Sequence, residues 1–135
     1  MGMEVQVLSR APVKGLSHVE VNVSDLKRSV KFWEVLLKIL GYGKYQKWDK
    51  GRSWKLGGTY VVFVQTEKNY LTAPFHRKRV GLNHLAFHAT KKQFQEVKLF
   101  LKRKKIPILY KEKRIKPSLL YFEDPDRIKV EIVAT

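Results

Sequence analysis

The 135-residue sequence contains no cysteine. Disulfide bonds, a thiolate nucleophile and cysteine-ligated metal sites are therefore excluded, so any metal must be held by His, Asp or Glu side chains. No run approaches the roughly 18 consecutive apolar residues that a membrane-spanning helix needs, and residues 1–14 lack the apolar core of a secretory signal. The sequence therefore predicts a cytoplasmic protein that makes no use of a membrane.

Acidic residues are also scarce, because 12 Asp and Glu stand against 28 Lys and Arg, for a formal charge of +16. Such a charge first suggests a polyanionic partner. The basic residues, however, are spread over both predicted helices and several loops, rather than forming one stripe interleaved with aromatic residues. We therefore expect no specific nucleic-acid binding, and a positive field that favours a small anionic substrate.

The sequence contains an internal repeat, in which GLSH at 15–18 recurs as GLNH at 81–84. Each copy is followed by a short apolar run, a helical segment starting at Ser24 or Thr90, and three strand-like runs. In the second half those three runs are 108–111, 119–122 and 128–134. The order βαβββ, present twice, predicts an α+β fold in which modules 15–80 and 81–135 form one domain, with curved sheets around a cleft and 1–14 as an N-terminal extension.

Strand periodicity separates the two faces of each predicted sheet. In the first strand His18 and Glu20 point away from the valines that belong against the helix. In the corresponding strand of the second half His84 and His88 share a face, and Glu131 lies on the equivalent face of the last strand. If the two sheets share a cleft, His18, His84 and Glu131 converge in it.

The repeat, the two histidines and the ending FEDPDRIKVE at 122–131 together resemble the vicinal oxygen chelate superfamily. That superfamily includes glyoxalase I, extradiol dioxygenases, fosfomycin-resistance thiol transferases, methylmalonyl-CoA epimerase and bleomycin-resistance proteins. The segment VSDLKRSVKFW at 23–33 is similar to the start of the first helix in small bacterial glyoxalase-like members. The resemblance extends from about Gly15 to the C-terminus and implies a homodimer.

The resemblance also implies that His18, His84 and Glu131 are the ligands of a divalent metal ion. Two imidazoles and a carboxylate suit Zn, Ni, Mn, Fe(II) or Cu, and they leave coordination positions open for a substrate. Glyoxalase I carries a fourth ligand, a Glu in the final strand of its first half. Here Phe63 and Gln65 are the candidates for that position, and neither is a carboxylate. A three-ligand site is favoured, with Gln65 left as a weak neutral ligand or a substrate contact.

Two further departures concern the C-terminal segment. Arg127 stands where many members have Gly in the turn before the last strand. The arginine that follows this strand in the fosfomycin enzymes has no counterpart after Glu131. On these grounds the sequence ranks a fosfomycin-resistance function low.

The function expected is that of a metal-dependent lyase or isomerase of the glyoxalase type, acting on a small substrate that chelates the metal through vicinal oxygens. Glu20, or Glu131 if it can detach from the metal, is the expected proton shuttle. His88 and Trp54, with Phe63 and Gln65, are candidate contacts in the substrate pocket. The alternatives are an extradiol-type dioxygenase and a metal-free resistance protein that binds a small molecule. For either histidine taken alone, a structural hydrogen-bonding role remains the alternative to metal binding.

Overall fold

The computed structural model describes residues 15–113 and 115–135, so the expected N-terminal extension, 1–14, lies outside the described residues. The elements are β1 (His18–Val23), α1 (Leu26–Ile39), β2 (Gly43–Trp48), β3 (Gly51–Leu56), β4 (Thr59–Gln65), β5 (His84–Ala89), α2 (Lys91–Arg103), β6 (Leu119–Glu123) and β7 (Lys129–Ala134). A 3₁₀ turn, Lys68–Tyr70, follows β4. The predicted α+β class is confirmed. In the part of the chain described, no helix has the length and apolar character needed to cross a membrane.

The strands form two sheets, which we call sheet A, with the order β1-β4-β3-β2, and sheet B, with the order β5-β7-β6. In both sheets the first strand of the module runs parallel to the last strand, with His18 opposite Tyr60 and His84 opposite Lys129. The remaining pairs are antiparallel. The sequence repeat is therefore a structural repeat, and it leaves β1 and β5 at sheet edges.

The second module differs from the prediction at 108–111, which does not form a strand. Residues 109–113 form turns, and Tyr110 has a φ of 63°. A left-handed residue reverses the chain and cannot continue an extended ladder. A backbone hydrogen bond of 2.8 Å, from the Leu109 amide to the Tyr121 carbonyl, still connects this segment to β6.

Side-chain caps define where both helices begin. The predicted cap of α2, Thr90, is present in a reciprocal capping box with Gln93. The cap of α1 is Asp25, which accepts a hydrogen bond from the Arg28 amide, rather than the predicted Ser24. Ser24 is engaged elsewhere, since both its amide and its hydroxyl donate to Asp126.

The core is a helix layer between the two sheets. The Trp33 ring on α1 stacks on Phe63 of sheet A, with centroids 4.7 Å apart, and packs at 6.0 Å against Phe87 of sheet B. Phe32 on the same helix contacts Phe100 of α2 at 5.7 Å. Each sheet therefore turns its apolar face towards the helices. The opposite, outer faces, which carry the polar residues of β1 and β5, point away from the helix layer.

A buried carboxylate joins the two modules. Asp124, which precedes β7, is 5% exposed and accepts a 3.0 Å hydrogen bond from the indole nitrogen of Trp33. Its other oxygen accepts from the amides of Asp126 and Ile128, both at 2.8 Å. Asp126 in turn binds Ser24 and Arg28 at the start of α1. The acidic turn of the second module is thereby tied to the first helix.

Candidate metal centre

The outer face of sheet B brings His84 and Glu131 together. His84 Nε2 lies 2.9 Å from Glu131 Oε1. The parallel register places Glu131 opposite Ala86, two residues beyond His84, so both side chains project from the same face. The side chains are 32% and 14% exposed, which leaves His84 accessible and Glu131 largely covered. Two of the three predicted ligands therefore form a pair.

The hydrogen bonds of His84 suit a metal ligand. Its Nδ1 lies 2.7 Å from the side-chain oxygen of Asn83, which can only accept, so Nδ1 carries the proton. In the neutral imidazole Nε2 then presents a lone pair towards the carboxylate of Glu131. Two lone pairs facing each other call for a cation or a proton. Ligand atoms about 2.1 Å from one ion and at right angles stand about 3 Å apart, so the pair fits a divalent metal.

His18 lies apart from this pair, on the outer face of sheet A. Its ring stacks on Tyr60 with centroids 4.5 Å apart and an interplanar angle of 9°, and its Nδ1 lies 3.0 Å from the Ser17 hydroxyl. Among residues 15–113 and 115–135, no three potential ligands approach each other closely enough to hold a metal. The convergence of His18, His84 and Glu131 is therefore not observed within the described part of one chain, because the helix layer separates the two outer faces.

The register identifies the position of the expected fourth ligand. His18 and His84 are equivalent in the repeat, so Glu20 is equivalent to Ala86. Ala86 lies opposite Glu131, and Glu20 lies opposite Val62. The residue equivalent to Glu131 is therefore Val62, which carries no ligand atom. Neither Phe63 nor Gln65 is at this position. They follow Val62 by one and three residues, and because strand side chains alternate between faces, both point to the opposite face of sheet A.

The side chains of those two candidates are used elsewhere. Phe63 is fully buried against Trp33 on the helix side of sheet A. Gln65 accepts a 2.8 Å hydrogen bond from the Leu26 amide and donates one of 2.9 Å to the Ser24 carbonyl, at the start of α1. Trp54 is 3% exposed and packs against Phe63, so it also lies in the core rather than in a pocket on the outer face.

Glu20 and His88, the remaining candidates, lie on outer faces. Glu20 is exposed on β1, two residues from His18. His88 is exposed on β5, about 13 Å from His84 at ~3.3 Å per residue, which is too far to share a metal. Their roles in proton transfer and substrate contact remain predictions.

The predicted site omitted two tyrosines that lie beside His84 and Glu131. Tyr121 is opposite Glu131 in the antiparallel pair of β6 and β7, and its ring centroid lies 6.4 Å from that of His84. Burial, followed by the neighbouring Glu131 carboxylate, raises the pKa of Tyr121 above its usual value. Tyr110 packs edge-on against Tyr121 at 5.4 Å. Strand alternation could have revealed Tyr121, whereas Tyr110 comes from a turn where strand periodicity was expected.

The comparisons with known proteins agree with this fold. Residues 15–132 match the family described as the glyoxalase/bleomycin resistance protein/dioxygenase superfamily. The chain belongs to this superfamily. The resemblance noted in the sequence is therefore confirmed, and it covers both modules of the glyoxalase superfamily fold.

Two relatives within the superfamily are similar over nearly the whole chain. The uncharacterized protein YqjT of Bacillus subtilis (strain 168) is 46% identical over 125 residues, which cover 88% of this chain and 98% of YqjT. A crystal structure of a glyoxalase candidate from Bacillus halodurans is 49% identical, with a TM-score of 0.84 over 90% of this chain and 96% of its own.

Fosfomycin-resistance metalloenzymes of the superfamily are also among the relatives. The metallothiol transferase FosB of Staphylococcus saprophyticus is 30% identical over 123 residues, 89% of this chain and 76% of FosB. The fosfomycin resistance protein FosX of Listeria monocytogenes, crystallised with Mn(II) and sulfate, is 20% identical, with a TM-score of 0.64 over 91% of each chain, and shows the fold alone. The sequence analysis ranked a fosfomycin-resistance function low, and the 30% identity to FosB does not support that ranking.

Proposed function

We propose that this protein is a divalent-metal-dependent enzyme of the glyoxalase type, a lyase or isomerase whose small substrate chelates the metal through vicinal oxygens. The observation that carries the proposal is the opposition of His84 Nε2 and Glu131 Oε1 at 2.9 Å, with Nδ1 of the same ring engaged by Asn83. In this arrangement both ligand atoms face the same point, where a metal ion could bind, and Asn83 holds the imidazole in the tautomer whose Nε2 can bind a metal.

In this proposal the third ligand, His18, comes from a second copy of the chain. Within one chain the helix layer separates His18 from the other two ligands. Both β1 and β5 are edge strands, and an edge strand presents unpaired backbone groups that can pair with another chain. If β1 of one copy lies beside β5 of the other, a two-fold axis generates two identical sites. Each site then combines His18 of one chain with His84 and Glu131 of the other.

The residues around the ligands have separate tasks in the proposed reaction. A bound divalent ion would polarise the substrate oxygens and stabilise negative charge that develops on them. Asn83 orients the His84 ring through the 2.7 Å hydrogen bond. Tyr121, whose pKa is raised by burial and then by Glu131, stays protonated at neutral pH and is able to donate a hydrogen bond. Glu20 enters the site with His18, on the same face of β1, as the proton acceptor.

Metal content of single variants tests the ligand set. Protein purified without chelators is expected to hold one metal ion per site by elemental analysis, and His18→Ala, His84→Ala and Glu131→Gln are each expected to lose it. His88→Ala is the matched control, since this histidine is exposed on the same face of β5 but too far from His84 to bind the same ion. Unchanged metal content in His84→Ala, or equal loss in His88→Ala, would contradict the assignment.

Subunit mixing tests whether the site is shared. His18→Ala and His84→Ala are unfolded together, refolded as an equal mixture and loaded with Mn(II). In a shared site, half of the dimers contain both chains and each of these has one intact site, so about a quarter of the wild-type metal returns. Recovery of no metal from the mixture, with each variant folded, would assign the complete site to a single chain and overturn the shared arrangement.

A second candidate, thiol transfer, is favoured by the 30% identity to the metallothiol transferase FosB. The two reactions are separated by following free thiol in the Mn(II)-loaded protein with glutathione and fosfomycin. Loss of thiol that depends on His84 would establish the transferase. Conversion of a vicinal dioxygen substrate without net thiol loss would establish the lyase or isomerase.

A further inference from the structure

Lys129 is a half-buried lysine on the outer face of sheet B that has no acidic partner. Within residues 15–113 and 115–135 no salt bridge involves its ammonium. Instead Nζ lies 3.3 Å from the Tyr110 hydroxyl and 5.4 and 5.7 Å from the ring centroids of Tyr110 and Tyr121. Nearby Arg77, in contrast, pairs with Glu123 at 2.6 Å, a carboxylate that also lies 3.6 Å from Arg127. The two tyrosines therefore hold the Lys129 ammonium in place, and no acidic side chain among the described residues balances its charge.

The position of Lys129 links it to the proposed metal ligands. It lies directly opposite His84 in the pairing of β5 and β7, and it precedes Glu131 by two residues on the same face. Alternate residues of a strand are about 6.6 Å apart, at ~3.3 Å per residue. A small molecule that reaches the His84 and Glu131 pair can therefore contact Lys129 at its other end.

Tyr110 has a left-handed backbone conformation, and its hydroxyl lies 3.3 Å from the ammonium of Lys129. Its φ of 63° lies in the left-handed region, which a residue with a side chain rarely adopts. The pKa of Tyr110 is lowered, first by the hydrogen bond from Lys129 and also by the Arg77 guanidinium. Because the hydroxyl accepts the lysine proton, its own hydrogen remains available as a donor to a further group.

We propose that Lys129 and the Tyr110 hydroxyl form an oxyanion subsite, which binds a carboxylate, phosphate or phosphonate group of the substrate beside the metal. The subsite rests on the proposed function, because one substrate molecule binds both the metal and the subsite. An ammonium and a phenol that both donate towards one point match the acceptor oxygens of such a group, and charged hydrogen bonds are the stronger kind. This limits the substrate class to small molecules that carry an oxyanion in addition to the chelating oxygens.

The test is a calorimetric titration of inorganic phosphate into metal-free full-length protein. We expect Lys129→Gln to weaken phosphate binding ~10-fold or more, and Tyr110→Phe to weaken it by a smaller factor, because a charged hydrogen bond contributes more than a neutral one. Lys98→Gln is the matched control. Lys98 is exposed and lies over the Phe94 ring at 5.4 Å, the same distance as Lys129 from Tyr110, but without a hydroxyl.

The outcomes separate the subsite from the metal site. Equal phosphate affinity of Lys129→Gln and Lys98→Gln, with the same Tm as the wild type, would overturn the subsite. If Lys129→Gln unfolds, Tyr110→Phe decides, since it retains the ring and removes only the hydroxyl. Mn(II) affinity is measured on the same samples, and we expect Lys129→Gln to retain it. Failure of the wild type to bind Mn(II), with phosphate binding intact, would overturn the proposed function and leave the anion site standing.

Discussion

Asp124 is an acidic residue buried in the core, only 5% exposed. Burial raises its pKa to about 6 from 3.8, although the amide of Ile128, the Trp33 indole and the amide of Asp126 all donate to it and oppose the shift. The charge of Asp126 adds to the increase. The hydrogen bonds therefore reduce the desolvation penalty of the ionised carboxylate but do not cancel it.

This shift predicts how stability depends on pH. A carboxyl whose pKa is higher in the folded state binds its proton more tightly when folded, so its contribution is complete below about 3.8 and is lost as the pH rises through about 6. The difference of about two units corresponds to roughly 3 kcal/mol. We expect the free energy of unfolding in urea to fall between pH 4 and pH 7 by up to that amount through Asp124.

The variant Asp124→Asn isolates this contribution. Because its amide does not titrate, the unfolding free energy of the variant should change less than that of the wild type between pH 4 and pH 7. The amide also places a donor where Asp124 accepts three hydrogen bonds, so the variant is expected to be less stable than the wild type throughout. Parallel pH profiles for the two proteins would contradict the assignment.

At the scale of elements, the start of α1 is held by a side chain from β4. Gln65 binds the Leu26 amide and the carbonyls of Ser24 and Thr66, so one amide group satisfies three backbone groups where strand and helix meet. The first amides of a helix have no partner within the helix. Gln65 thus supplements the Asp25 cap and fixes α1 to sheet A.

Replacement of Gln65 is expected to affect stability without affecting the metal. Gln65→Ala should lower the free energy of unfolding by about 1–3 kcal/mol, because it leaves backbone groups unpaired. The free energy of unfolding of Gln65→Glu should lie between those of the wild type and Gln65→Ala, since the carboxylate retains the acceptor for the Leu26 amide but has neither donor. Urea unfolding measures the first effect and elemental analysis the second. Loss of metal from a folded Gln65→Ala would restore this residue as a ligand candidate.

The whole molecule carries an excess of positive charge, +16 over 135 residues. The described residues form few ion pairs, and in one of them, Lys44 with Glu34, both side chains are exposed. Exposed pairs contribute little, whereas the repulsion among like charges acts across the surface and is screened by salt. Repulsion should therefore dominate the response of this protein to ionic strength.

Salt is accordingly expected to stabilise the protein. Raising NaCl from 20 to 300 mM should increase the Tm by ~2–5 °C, because relief of about 1 kcal/mol of repulsion changes the Tm of a domain of this size by a few degrees. Equal ionic strengths of KCl serve as the control for ion-specific effects. A Tm that falls in both salts would mean that favourable ion pairs outweigh the repulsion.

Much of the fold could be predicted because its signals are local. The period of two in β1 and β5 assigned the polar residues to the outer faces, and the helical spacing and the Thr90 cap located α2. The turn at 109–113 was missed because the apolar content of the segment resembles a strand, while the left-handed Tyr110 leaves no mark in hydropathy. The predicted cap of α1, Ser24, was wrong for a similar reason. Ser24 binds Asp126, which lies 102 residues away, and no local pattern reveals that contact.

The sequence by itself determined the class of fold, the repeat and the common face of His84 and Glu131, because these depend on periodicity within short segments. Only the tertiary structure decided that His18 lies on the other side of the helix layer, that Val62 rather than Phe63 or Gln65 is the counterpart of Glu131, and that Tyr110 rests on Lys129. Each of these depends on strand register or on packing between distant segments. Pairing and packing are set by which distant segments meet, so the residue pattern within one segment does not specify them.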